Sequence, residues 1–195
     1  MKIVLYRSLV LFLLIGSYTV NAQEKQHLFS GGMFLHAGYI SNSRLIYPSE
    51  GLCNGIGGKL VFHLGSHFRL GTEGYATNMP YRSNDGIYKM GWGGIVGEYQ
   101  YTIGRIIPVV GLTLGGGEVK DLYFINGSIE DNIPDEAMYK VYSVFLAAPA
   151  ISLEYVLRDN LKLVCKADYI INMVGDVRND YAGGPRLYFG VLFRR

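Results

Sequence analysis

The chain has 195 residues, of which 18 are basic, 16 are acidic and 26 are glycine. This length suits one domain, and the small charge excess argues against a nucleic-acid-binding protein or one that binds an anionic membrane surface. Two cysteines, Cys53 and Cys165, are too few for a secreted fold built on disulfides. We expect Cys53 in a loop and Cys165 on the apolar face of a strand.

The first 22 residues have the pattern of a secretory signal peptide. Two basic residues precede the apolar run 9–16, and Val20 and Ala22 occupy the −3 and −1 positions of a cleavage site. The apolar run is too short to span a bilayer as a helix. We therefore expect residues 1–22 to be removed on export, which leaves one domain over residues 23–195 with no net formal charge.

The remaining chain alternates apolar and polar side chains with a period of two residues, which predicts β-strands. No segment shows a helical period. Much of the glycine lies inside the predicted strands, as tightly curved sheets require. The eight predicted strands cover residues 31–40, 54–65, 67–78, 86–103, 105–117, 140–157, 161–173 and 185–195.

Short and long connections alternate between these strands. Tight turns between antiparallel neighbours lie at one end of a barrel, so the long loops lie at the other end. The pattern predicts an all-β fold: an eight-stranded antiparallel up-and-down transmembrane β-barrel with short periplasmic turns and long extracellular loops. The predicted loops are 41–53, 79–85, 118–138 and 174–184, and the third holds six acidic residues.

One face of the predicted strands is apolar and the opposite face carries ionisable side chains. Four basic and four acidic residues suit a closed interior, which in an eight-stranded barrel is just wide enough for side chains to fill. The predicted interior charges are Lys59, Arg69, Glu73, Glu98, Glu154, Lys166, Asp168 and Arg186. The turn positions place Lys59 opposite Glu73, and Glu154 opposite Lys166, as stabilising cross-strand pairs.

Aromatic residues cluster near both ends of the predicted strands. Amphipathic rings favour the two interfaces of a bilayer, so these residues predict two girdles on the outside of the barrel. The girdle at the short-turn end would contain Phe68, Tyr101, Tyr155 and Phe193. The girdle at the long-loop end would contain Tyr39, Tyr88 and Trp92.

The sequence offers little that resembles a chemical site. The four histidines have no partners at metal-ligand spacing. Ser66 and His67 are adjacent, so in a strand they point to opposite faces and do not form a nucleophile–base pair. The acidic stretch 118–135 matches no calcium-binding loop and is better explained as a solvated loop. We expect no catalytic residue, cofactor or metal.

Three segments resemble parts of the small eight-stranded outer-membrane barrel proteins of Gram-negative bacteria, the OmpA-transmembrane-domain and opacity-protein type. The segments are IIPVVGLTLGGG (106–117), EYVLRDNLKLVCKADY (154–169) and YFGVLF (188–193). The resemblance implies location in the outer membrane and insertion by its assembly machinery. That machinery favours a C-terminal aromatic residue, whereas here Phe193 is followed by Arg194 and Arg195.

This interpretation implies a structural or surface-interaction role through the extracellular loops. The partners would be outer-membrane lipid, the assembly machinery and an extracellular partner, but no nucleic acid. Three alternatives stay open: a narrow pore or small-ligand passage, a lipid-modifying enzyme of the outer membrane, and a secreted lipocalin-like binding barrel. They differ in whether the interior is filled, whether a nucleophile meets a base, and which face of the sheet is apolar.

Overall fold

A computed structural model shows the predicted all-β fold as a closed barrel of eight antiparallel strands. Each strand pairs with its sequence neighbours, and β1 pairs with β8 to close the sheet. The structure describes residues 28–40, 51–80, 87–126, 136–173 and 183–194. The strands are β1 (Phe29–Ile40), β2 (Gly51–Leu64), β3 (Phe68–Pro80), β4 (Ile87–Gln100), β5 (Ile106–Asn126), β6 (Glu136–Arg158), β7 (Leu161–Asn172) and β8 (Gly184–Arg194).

Three short turns mark one end of the barrel, which we call the lower end. They connect β2 to β3, β4 to β5 and β6 to β7. Gly65 and Gly104 lie in the first two turns with φ of 76° and 61°, a left-handed conformation that favours glycine. The other four connections begin and end at the opposite, upper end, and they lie largely outside the described residues, as does the predicted signal peptide over residues 1–22. The described residues contain no helix long and apolar enough to cross a membrane.

The hairpin of β5 and β6 is longer than predicted. The two strands have 21 and 23 residues, and they run through most of the segment 118–138 that was predicted as a loop. That prediction was wrong because charged side chains on both faces hid the alternation: Asp121 points inward and is buried, while Lys120 points outward. Cys53 likewise lies buried in β2, and the prediction that it lies in a loop was wrong.

The two faces of the sheet have opposite character over the lower part of the barrel. Apolar side chains such as Ile151, Leu153 and Phe189 are 52–65% exposed on the outer wall. Between them Glu154 and Lys166 are at most 2% exposed in the interior. Soluble proteins bury apolar side chains and leave charged ones in water. The barrel reverses that arrangement.

Glycines inside the strands make room for aromatic side chains in the interior. Tyr75 lies directly opposite Gly57, Phe34 opposite Gly190 and Trp92 opposite Gly117. A Cβ atom added to any of these glycines would collide with the side chain of its aromatic partner. The pairing explains the glycine at these three positions, where it would otherwise weaken the sheet.

Candidate functional site

The interior of the barrel brings the predicted charges together. All eight are at most 7% exposed: Lys59, Arg69, Glu73, Glu98, Glu154, Lys166, Asp168 and Arg186. Two further buried charges, Asp121 and Lys162, were missed by the sequence reasoning. Lys162 and Lys166 are an even number of residues apart on β7 and therefore have the same parity, which means that their side chains point to the same face. The inward orientation of Lys162 could thus have been predicted from the alternation. Asp121 was assigned to a loop, and its parity was not considered.

A continuous chain of ion pairs fills the lower end of the interior. Glu98 contacts Lys59 and Arg69 at 2.6 and 2.8 Å, and Glu154 contacts Arg69 and Lys162 at 2.7 Å each. These five residues, the lower ion-pair chain, come from five different strands. Because each carboxylate is shared by two cations, every charge in the chain has an opposite charge beside it. The chain ties the strands together across the lumen.

A second cluster lies farther from the short turns and is centred on Glu73. Lys166 Nζ donates to both carboxylate oxygens of Glu73 at 2.8 Å, and Tyr75 and Thr113 donate their hydroxyl groups to the same carboxylate. Lys166 also lies 3.4 Å from Asp168. We call these five residues the middle cluster. Glu73 at its centre accepts hydrogen bonds from side chains of β3, β5 and β7, so the cluster connects these strands across the lumen.

The predicted cross-strand ion pairs are only partly correct. Lys59 does lie opposite Glu73 in the register of β2 and β3. The ion pairs nevertheless cross the lumen, since Lys59 contacts Glu98 and Glu73 contacts Lys166. In a narrow closed barrel a long side chain therefore selects partners on distant strands as readily as on its neighbour.

The prediction that Glu154 lies opposite Lys166 was wrong. Glu154 lies opposite Val164, and Lys166 lies opposite Ser152. The turn between β6 and β7 is centred one residue earlier than expected, and the register is irregular next to Arg158. The parity of both strands is unchanged, so Glu154 still points inward, toward Arg69 and Lys162.

The upper end of the interior is mainly apolar, although Asp121, opposite Tyr88 in the register of β4 and β5, is also buried there. Five of its side chains are at most 1% exposed: Ile40, Met79, Tyr88, Leu146 and Ile170. They belong to one cluster of buried hydrophobic residues, which also contains Cys53, Val119 and Val144. We call these eight residues the upper core. It was not predicted from the sequence, partly because Cys53, Met79 and Val119 fall in segments that were predicted as loops.

The upper core also corrects the predicted girdle at the long-loop end. Tyr88 and Trp92 are 0% and 4% exposed and point into the barrel, so their assignment to the outer wall was wrong. Their parity along β4 is that of Glu98, which also points inward. Tyr39 is exposed, as predicted. All four residues of the predicted lower girdle are exposed too: Phe68, Tyr101, Tyr155 and Phe193.

Among the described residues, Ser30 and His63 form a serine–histidine contact inside the barrel. Ser30 Oγ lies 2.8 Å from His63 Nε2, a distance suited to a nucleophile and its base. Ser30 is fully buried, however, so its hydroxyl group is closed to a substrate in this structure. No group of three or more potential metal ligands occurs among the described residues. The interior is built for packing and charge pairing.

Comparisons with known proteins agree on the fold. No protein-family model matches the chain, and no curated protein matches it. Among solved structures, the attachment invasion locus protein Ail of Yersinia pestis is similar, with 13% identity over 86% of this chain and 96% of that chain and a TM-score of 0.55. Neisserial surface protein A has 14% identity over 86% and 96% of the two chains, with a TM-score of 0.58.

The N-terminal β-barrel domain of Pseudomonas aeruginosa OprF is also similar, with 12% identity over 87% of this chain and 98% of that domain and a TM-score of 0.55. At such low identities the similarity concerns the backbone fold. It confirms the resemblance inferred from the sequence, since the chain has the fold of the small eight-stranded outer-membrane β-barrels.

Proposed function

We propose that this chain is an outer-membrane β-barrel protein of a Gram-negative bacterium that serves as a sealed scaffold for its upper, surface-facing end. The observation that carries the proposal is the reversed distribution of side chains, with exposed apolar residues outside and paired charges inside. A lipid-facing apolar band around a polar interior is typical of transmembrane barrels. Residues 1–22 would direct export, and the assembly machinery would insert the mature chain.

A filled interior favours a scaffold role rather than a pore. The lower ion-pair chain, the middle cluster and the upper core follow one another along the barrel. An open channel would need a continuous path past Arg69, Glu73 and Tyr88, which are 2%, 5% and 0% exposed. The buried Ser30 hydroxyl group likewise supports a non-enzymatic role. The function is then expected at the upper end of the barrel.

The charge of the upper connections suggests the chemistry of a surface partner. The segments 41–50, 81–86, 127–135 and 174–182 together carry seven acidic and three basic residues. Ail of Yersinia pestis has been crystallised with sucrose octasulfate, an anionic heparin analogue. An acidic surface would repel such a polyanion, so we expect this chain to contact a basic protein surface instead.

Membrane insertion is tested by fractionation of cells and by gel migration of the detergent-folded protein with and without boiling. We expect the protein in the outer-membrane fraction, with different mobilities before and after heating. Intact mass should place the mature N-terminus at Gln23. A mature chain that is monomeric and freely soluble without detergent would contradict the proposal.

The surface role is tested by shortening one upper connection at a time. Asn126 lies opposite Glu136, and Pro80 opposite Ile87, so an Asn-Gly turn can replace 127–135 or 81–86 without disturbing the strands. We expect loss of 127–135, which holds three acidic residues, to weaken binding of a lysine-rich peptide more than loss of 81–86. Heat-dependent migration should persist in both. Equal binding by both variants and the wild type would exclude this partner chemistry.

A further inference from the structure

The outer wall carries one polar row that interrupts the apolar pattern. Four exposed side chains are Cα partners across successive strands from β2 to β5: Asn54, Asn78, Lys89 and Lys120. The same row continues into apolar side chains on both flanks, with Ala37 on β1 and Val141 on β6. The polar residues therefore form a local patch, which we call the polar row.

Two lysines in the polar row face each other across the β4–β5 ladder. Lys89 lies directly opposite Lys120, and like charges in this position destabilise a sheet. Lys120 Nζ lies 2.9 Å from a carboxylate oxygen of Glu118, whereas Lys89 has no ion-pair partner within the part of the chain that the structure describes. The three residues leave one uncompensated positive charge. An anion bound between the lysines would remove their repulsion, and a phosphate group suits lysine well.

A groove begins at the polar row and is lined mainly by small and apolar residues. The next row toward the lower end contains Ile56, Ala76, Gly91 and Glu118, and the row after it contains Gly58, Gly74, Gly93 and Gly116. A cavity of about 780 Å³ is lined by residues of these first two rows, including Lys89 and Lys120, and by Leu35 of β1. Four residues at the alternating, inward-facing positions also line it: His36, Gly55, Thr77 and Met90. Its volume is within the range of small-molecule sites.

We propose that this groove binds an anionic, phosphate-headed lipid of the surrounding membrane. The phosphate group lies at Lys89 and Lys120, and an acyl chain lies over Gly91 and the row of glycines below. A lipid fits both parts of the groove, the lysines and the small residues. Its charged headgroup would contact the basic side chains at the membrane surface, and its acyl chain would pack over the small residues. The inference rests on the proposed insertion of the barrel in a membrane.

The role of Lys89 and Lys120 is tested by measuring lipid retention in native mass spectrometry. Detergent-folded protein is incubated with phosphatidylglycerol or with phosphatidylcholine. We expect wild-type protein to retain phosphatidylglycerol preferentially, and K89Q/K120Q to retain it about tenfold less. The matched control R105Q/R158Q removes the same charge from the exposed short-turn end and should retain the lipid as the wild type does. Equal retention of the two lipids by the wild type would overturn the proposal.

The groove itself is tested by two glycine substitutions on the same face of β4. An added Cβ at Gly91 or at Gly97 meets no atom within 4 Å, so leucine at either position should be tolerated. Gly91 lines the cavity and Gly97 does not. We expect Gly91→Leu to abolish preferential retention of phosphatidylglycerol and Gly97→Leu to preserve it.

The outcomes separate this inference from the proposed function. Heat-dependent migration of every variant establishes that the barrel has folded. Unchanged retention in both K89Q/K120Q and Gly91→Leu, with folding intact, would overturn the lipid site and leave the scaffold proposal standing. A wild-type chain that fails to enter bilayers would overturn both. Dimers in the spectra that Gly91→Leu disrupts would assign the groove to a second copy of the chain and exclude the lipid.

Discussion

The lower and upper ends of the barrel interior are filled in opposite ways. The lower end holds the ion-pair chain of Arg69, Glu98 and Glu154 with two lysines, whereas the upper end holds an apolar core around Leu146 and Ile170. The outer wall changes in the opposite sense along β2–β5, from apolar residues below to the polar row above.

Strand β4 shows this reversal within one element. Near its lower end Glu98 points inward and Tyr99 outward, and near its upper end Tyr88 points inward and Lys89 outward. The wall at β4 therefore changes from charged inside and aromatic outside to aromatic inside and charged outside.

The largest effect is expected for Glu154→Ala in the lower ion-pair chain. The change leaves Arg69 and Lys162 buried without their shared carboxylate, which should lower the free energy of unfolding by about 3–5 kcal/mol. Urea unfolding of the folded protein in detergent measures it. Glu118→Ala removes an exposed carboxylate that also pairs with a lysine, and it should cost less than about 1 kcal/mol. Similar losses in both variants would remove the distinction between buried and exposed pairs.

A somewhat smaller loss is expected for Ile170→Ala in the upper core. Ile170 is fully buried, so its truncation leaves a cavity and should lower the free energy of unfolding by about 2–4 kcal/mol. Ile171→Ala is the matched control, since that neighbouring side chain is 43% exposed on the outer wall. The same urea titration compares them. A larger loss for Ile171→Ala would mean that the upper interior is not a packed core.

The smallest of the three effects concerns the glycines that accommodate interior rings. Gly57→Ala forces a methyl group against Tyr75 and should lower the free energy of unfolding by about 1–3 kcal/mol. Gly91→Ala places the same methyl group in open space on the outer wall, and its effect should stay within about 0.5 kcal/mol. Equal unfolding midpoints in urea would show that interior and exterior glycines are equivalent.

The strand alternation made most of the fold predictable. Parity alone separated Leu163 and Cys165 on the outer wall from Lys166 in the interior, because a strand turns successive side chains to opposite faces. The same parity would have placed Lys162 and Tyr88 inside. Tyr88 was misassigned because its aromatic character suggested a girdle.

Other features depended on information that the alternation does not contain. The partner of Lys59 depends on how closely distant strands approach across the closed lumen, which local sequence does not fix. The register of β6 and β7 depended on a single residue in the turn, so Glu154 was placed opposite the wrong neighbour. The upper core was missed partly because Met79 and Val119 fell in predicted loops.

The most direct test of the central arrangement is a spin-label scan along β7 in lipid bilayers. In a background with Cys53 and Cys165 replaced by alanine, single cysteines are placed in turn at residues 163–169; the variant at position 165 restores the native cysteine, which is exposed on the outer wall. We predict strong collisions with lipid-soluble oxygen at the odd-numbered positions, and protection from both oxygen and a water-soluble nickel complex at the even-numbered ones. Strong oxygen collisions at the even-numbered positions, or nickel collisions at the odd-numbered ones, would contradict the account.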